Sequence, residues 1–247
     1  AMTPSHAAAA AIPRRLEGHG VEVVVTGMLV ARNIDDPTTR ERPVPNGFSV
    51  GHPDITAGTI GAKVRDDAGN VYILSNNHVL ANSNAGNIGD PIYQPGPFDG
   101  GTAADVIGTL ADFEPIAMDG SANSMDAAIS LVNGSDLTGA TPSYAYGAPS
   151  ATVFTGTVLN RGVQKFGRTT GHTTGTVTEV NVTVTVCYEP IGMFGCRASA
   201  TFVEQIGISP GAFSAGGDSG SLIVTNDANR QPVALLFAGG SSRTLAN

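Results

Sequence analysis

The chain has 247 residues, 13 Lys+Arg against 21 Asp+Glu, and a formal net charge of −8. Charged residues are 14% of the total, well below the roughly 25% of an average soluble domain. No basic cluster exceeds Arg14-Arg15, so the electrostatic footprint of a nucleic-acid partner is missing. No apolar run approaches the roughly 18 residues that span a bilayer, so no membrane partner is expected. The 32 glycines and 15 prolines fall short of the roughly 25–30% Gly plus Pro of a low-complexity chain. A packed, loop-rich globular body is expected.

The five alanines Ala7 to Ala11 lack the basic start and apolar segment of a secretory signal. Residues 1–20 are expected to be a flexible arm, and the cytoplasm is slightly favoured over secretion. From there a period of two dominates. Strands are expected over 21–30, 58–64 and 71–75, with the Asp66-Asp67-Ala68-Gly69-Asn70 turn joining the last two as a hairpin. Further strands are expected near 91–94, 106–113 and 127–132, because the stretch 81–124 is too long for a plain loop. Gly139, Pro142, Gly147 and Pro149 then interrupt the pattern, which divides the chain into halves at 21–140 and 141–247. In the second half strands are expected over 163–167, 198–206, 220–225 and 233–238. Val180, Val182, Val184 and Val186 alternate with polar residues, as on a strand with one wet face. Residues 241–247 read as a tail after the last strand. No amphipathic helix longer than about three turns stands out, and many short strands at this spacing indicate an all-β barrel or sandwich.

Cys187 and Cys196 flank a turn-like Glu189-Pro190-Ile191-Gly192. Two cysteines cannot complete a four-ligand zinc site, so they form a disulfide or remain thiols. A disulfide would favour an oxidising compartment, against the absent signal. No metal and no cofactor is expected.

The sharpest local signal is Gly216-Gly217-Asp218-Ser219-Gly220-Ser221, followed by the apolar Leu222-Ile223-Val224. A serine between glycines in a tight turn exposes its hydroxyl, and the glycines leave backbone N–H groups unobstructed by a Cβ. The plainer reading is a Gly-Ser turn between strands. His78, in Ser75-Asn76-Asn77-His78-Val79, closes a buried-looking strand that can hold an imidazole as general base. Asp126 precedes the apolar Ala127-Ala128-Ile129. A buried aspartate there needs a donor, and an imidazole N–H would supply one while fixing the tautomer. Taken singly, each is more commonly a structural residue.

Together Asn77-His78-Val79, Asp126-Ala127-Ala128-Ile129 and Gly217-Asp218-Ser219-Gly220 resemble the His, Asp and Ser blocks of trypsin-like (chymotrypsin-fold) serine peptidases. Lys165-Phe166-Gly167-Arg168-Thr169-Thr170-Gly171 with Gly175-Thr176-Val177 resembles the start of the second barrel in a bacterial and plant branch of them. The resemblance implies two six-stranded antiparallel β-barrels with the active site in the cleft between them. It implies a serine endopeptidase acting on polypeptides: Ser219 attacks a carbonyl, His78 takes its proton and Asp126 orients His78. The backbone N–H groups of Gly217 and Ser219 would hold the oxyanion. Ser221 stands where many relatives have a second glycine. No apolar mature-type N-terminus is available to Asp218, so an internal partner is expected for it. Phe213 and Ser214, with a wall from Phe237, Ala238, Gly239 and Gly240, would form the specificity pocket. No acid stands at its base, so an apolar or small side chain is expected there and not Lys or Arg. His172 would lie beside the cleft, and His52, near Asp54, could mimic a His/acid pair; both are read first as structural. The rivals are a latent protease-fold binding or scaffold protein and an esterase using the same triad.

Overall fold

The hairpin read from Asp66 to Asn70 shows how these strands are made. Asp66 Oδ1 accepts from the Asn70 N–H at 2.8 Å, and Gly69 takes φ +90°. The flanking strands then pair as Ala62–Arg65 against Val71–Ser75, and the latter alternates between buried and half-buried residues. The computed structural model describes residues 13, 15–20, 36–191 and 195–247, so the strand expected over 21–30 and nearly all of residues 1–14 lie outside the described residues. The chain divides into two units, 1–35 and 36–247. Within the first, β1 (Arg15–Leu16) pairs with β2 (His19–Gly20) in a short hairpin, on residues expected to belong to a flexible arm.

The second unit holds β3 (Ser49–Val50), β4 (Gly58–Thr59), β5 (Ala62–Arg65), β6 (Val71–Ser75), α1 (Asn77–Leu80), β7 (Pro91–Tyr93), β8 (Val106–Phe113), β9 (Ala122–Asn123) and β10 (Ala128–Val132). There follow β11 (Gly162–Gly167), β12 (Gly171–Cys187), β13 (Pro190–Ile191), β14 (Gly195–Cys196), β15 (Ser199–Ser209), β16 (Leu222–Thr225), β17 (Pro232–Gly239) and β18 (Thr244–Ala246). The first sheet has the order β5-β6-β10-β8-β7, all antiparallel. A bridge from Gly51 to Tyr93 and the β3–β4 pair connect its two ends, because β4 runs on into β5. The second sheet runs β12-β11-β16-β17-β18-β15, and β12 pairs again with β15 to close it. Each closed sheet keeps a row of edge groups from being left unpaired. Two antiparallel barrels result, as expected.

Phe48, Ile60, Ile73, Leu80, Ile92 and Leu110 fill the first interior, and Val163, Val177, Ile208, Phe213, Ile223 and Leu236 a second cluster. Each such side chain contributes about 1.5–3 kcal/mol by leaving water. Phe166, Leu222 and Val224 belong to the first cluster although their strands belong to the second sheet. The two barrels therefore share apolar contacts along their join.

Several boundaries depart from the sequence reading. The strand expected over 58–64 is broken at Ile60-Gly61, where a Cβ on Gly61 would lie 2.3 Å from the Gly220 carbonyl. The break lets the Ser219 turn dock on β4. The presumed tail 241–247 contains β18, seated between β17 and β15, and Asn247 exchanges both backbone hydrogen bonds with Leu235. In β12 the valine alternation changes phase. Asn181 takes φ +56°, the pairing with β15 shifts there, and Val180 is left 42% exposed while Val182, Val184 and Val186 pack on Phe202 and its neighbours. β9 pairs in parallel with β15, a strand that its two residues alone did not announce.

Candidate active site

His78 does not end strand β6; it sits one step further, on the single turn α1. The turn is anchored by its neighbours: Asn77 donates to the Glu114 carbonyl at 2.7 Å and Asn76 to the Asp126 carbonyl at 2.7 Å. Asp126 leads into β10, which pairs with β6, so strand register alone brings it beside His78. His78 Nδ1 lies 2.5 Å from Asp126 Oδ2, and the His78 backbone N–H donates to Oδ1 at 3.3 Å. Asp126 is wholly buried while the His78 side chain keeps 23% exposure. Burial pushes the Asp126 carboxyl up, but the His78 charge and the hydrogen bonds from His78 and Tyr188 outweigh it and hold it below the ordinary carboxylate range.

Ser219 lies in a turn set by Asp218. The buried Asp218 carboxylate accepts from the N–H groups of Thr169 (2.8 Å), Thr170 (3.1 Å) and Ala215 (2.9 Å) and from the Thr170 hydroxyl (2.6 Å). Lys165 Nζ stands 3.3 Å away, with both side chains inaccessible to solvent. Burial lowers the Lys165 ammonium, and Asp218 opposes that shift. Lys165 is thus the internal partner anticipated for Asp218. Gly217 (φ +96°) and Gly220 (φ +93°) supply backbone conformations that residues with a Cβ rarely adopt. Thr59 ties the turn to β4: its N–H donates to the Ser219 carbonyl and its hydroxyl to that of Gly217, both at 2.8 Å. Among the described residues neither the Gly217 nor the Ser219 N–H has a protein acceptor. Both donors are free.

Gly58 joins the two halves of the site. A Cβ there would lie 2.4 Å from Val79 Cγ2 and 3.1 Å from the Ser219 carbonyl, so the residue after His78 and the backbone of Ser219 pack on one glycine. The Ser219 hydroxyl donates to the Phe237 carbonyl at 3.4 Å, and among the described residues no hydrogen bond links it to His78.

Beside Ser219 opens a cavity of about 290 Å³ lined by Ser214, Ala215, Gly216, Leu236, Ala238, Gly239 and Gly240. Ser214 and Thr244 hydroxyls meet at 2.6 Å. The lining carries no charged side chain. Phe213 and Phe237 lie outside it: Phe213 is in the core and Phe237 packs at a tilt on Phe202, ring centroids 4.7 Å apart. His172 bonds Gln164 at 2.9 Å, and burial and the Lys165 charge hold its imidazole below the ordinary histidine range. His52 is buried, with Nε2 3.1 Å from Asp90 and Nδ1 accepting from the Asp54 N–H at 3.2 Å. Tyr188, whose hydroxyl donates to Asp126 Oδ2 at 2.8 Å, was not legible in sequence; only its place next to Cys187 could have drawn attention to it. Cys187 and Cys196 are joined in a disulfide. No group of three His, Cys, Asp or Glu suited to a metal occurs among the described residues.

No protein-family model and no curated protein matches the chain, but solved structures do. A glutamic acid specific serine protease, described as using a histidine triad in substrate binding, is 20% identical with TM-score 0.56, over 83% of this chain and 92% of that one. The Nocardiopsis protease is 15% identical, with TM-score 0.56 over 83% and 92%. A Cellulomonas bogoriensis chymotrypsin is 19% identical, with TM-score 0.53 over 82% and 90%. The chain has the two-barrel, chymotrypsin-type fold of bacterial serine proteases.

Proposed function

We propose that the chain is a serine endopeptidase in which Ser219 is the nucleophile, His78 the general base and Asp126 the residue that orients His78, with the barrels divided near residue 140. The observation that carries this reading is the contact of His78 Nδ1 with a buried Asp126 carboxylate, on the turn that packs against the same glycine as Ser219. In the reaction Ser219 Oγ attacks the peptide carbonyl as its proton passes to His78 Nε2, and the imidazolium is stabilised by Asp126. The free N–H groups of Gly217 and Ser219 receive the oxyanion. His78 returns its proton to the leaving amine, and water then repeats the sequence on the acyl-enzyme.

In the resting arrangement the Ser219 hydroxyl faces the Phe237 carbonyl; contacts between a nucleophile and its base are commonly loose before substrate binds. That same contact is what a latent peptide-binding relative would show. The neutral cavity supports an apolar or small residue before the scissile bond, and it has no histidine to parallel the triad described for the glutamic acid specific protease. The disulfide supports action in an oxidising compartment.

Labelling with a fluorophosphonate, read by intact mass, tests the proposal. One adduct on wild type and none on Ser219→Ala or His78→Ala is expected. An unlabelled but folded wild type would mean the latent reading.

A further inference from the structure

A buried carboxylate must have its lone pairs met by donors or lose its charge. Among the described residues the Asp126 carboxylate has three: the His78 backbone N–H, His78 Nδ1 and the Tyr188 hydroxyl. The first two come from the group that Asp126 has to orient. Tyr188 alone is an independent restraint on the carboxylate plane, and it arrives from the other barrel. It follows Cys187 at the end of β12, inside the loop closed by the Cys187–Cys196 disulfide, and its N–H donates to the Ala198 carbonyl at 2.9 Å. Its ring meets His78 edge-on, centroids 5.9 Å apart at 70°, and packs on Phe202 at 6.3 Å.

We propose, resting on the peptidase reading above, that Tyr188 is a positioning residue that locks Asp126 against His78 and ties the catalytic pair to the disulfide-closed loop. The phenol shares the carboxylate's charge. Without it Oδ2 would pull harder on the His78 Nδ1 proton, so the imidazolium would persist to higher pH, while the carboxylate would also be free to turn. The remaining groups bonded to Asp126, the Asn76 amide and the Asn247 side chain, do not titrate. No other charged side chain among the described residues is bonded to His78, Asp126 or Tyr188.

The test is Tyr188→Phe, which keeps the ring and deletes the hydroxyl, beside 3-fluorotyrosine incorporated at 188, a stronger donor. Two readouts are followed against pH: the rate of fluorophosphonate labelling and the His78 ring resonances by NMR. Tyr188→Phe should label roughly tenfold more slowly and move both titrations to higher pH, and the fluorinated ring should move the His78 titration to lower pH. A purely structural role would produce no opposed shifts. Unchanged midpoints in both variants would overturn the proposal. If Tyr188→Phe does not fold, an unchanged midpoint in the fluorinated protein overturns it alone. If wild type is not labelled, the peptidase reading fails, but the NMR titration still decides the role of Tyr188.

Discussion

Asp126 has a pH signature of its own. Its carboxyl is held lower in the folded chain than the ordinary value of 3.8, so the folded state binds this proton less readily than the unfolded one. The stability it contributes is complete above about pH 4 and is lost as pH falls through its folded value. The difference in unfolding free energy between wild type and Asp126→Asn, followed by denaturant titration, should therefore shrink on acidification below that pH. At neutral pH Asp126→Asn should keep the fold and lose about ten-thousand-fold in turnover, and Ser219→Ala several orders of magnitude; wild-type activity in Ser219→Ala would end the proposal. His78, Asp126 and Ser219 could be singled out in sequence because each stands in a short block with its own chemical logic. Tyr188 has none, since its role depends on a partner 62 residues away.

The Ser219 turn is an element held through Gly220 and through the Asp218–Lys165 pair, and the two holds can be broken separately. Gly220 has φ +93°, and a Cβ there would lie 2.1 Å from Ser75 Oγ and 2.4 Å from the Thr59 carbonyl. Gly220→Ala should cost about 2–4 kcal/mol of stability, measurable as a lowered midpoint in denaturant. Lys165→Met leaves Asp218 buried without its cation and should cost about 3–5 kcal/mol, with fluorophosphonate labelling slowed because Asp218 shapes the turn. If Lys165→Met retains wild-type stability, the backbone and Thr170 donors alone suffice for Asp218. The period-two pattern located strands such as β6 and β10, which bury alternate residues, whereas β16 is buried throughout and showed as an apolar run. The pattern missed the break at Ile60-Gly61, β18 and the phase change at Asn181, where a backbone neighbour and not a side-chain preference sets the conformation.

Across the whole molecule the excess of acidic residues gives a net charge of −8 and a sequence pI of about 4.9. The cavity beside Ser219 is neutral, so in the proposed reaction this charge would act on approach and not on the fit of the residue before the scissile bond. Lys- and Arg-rich peptides should associate faster at low ionic strength than at high. Neutral peptides should show no such dependence, which initial rates at two salt concentrations would check. Among the described residues no helix is long and apolar enough to cross a membrane.

By itself the sequence determined the all-β class, most strand positions and the three residues of the proposed triad, because alternation of burial and glycine-framed polar residues are local properties. Only the tertiary structure decided that Lys165 partners Asp218, that Phe213 and Phe237 face the core and not the cavity, and that Tyr188 reaches Asp126. Each of these depends on the closure of the second barrel and its packing on the first. The distances involved are set by strand register and barrel contact, which no short stretch of chain specifies.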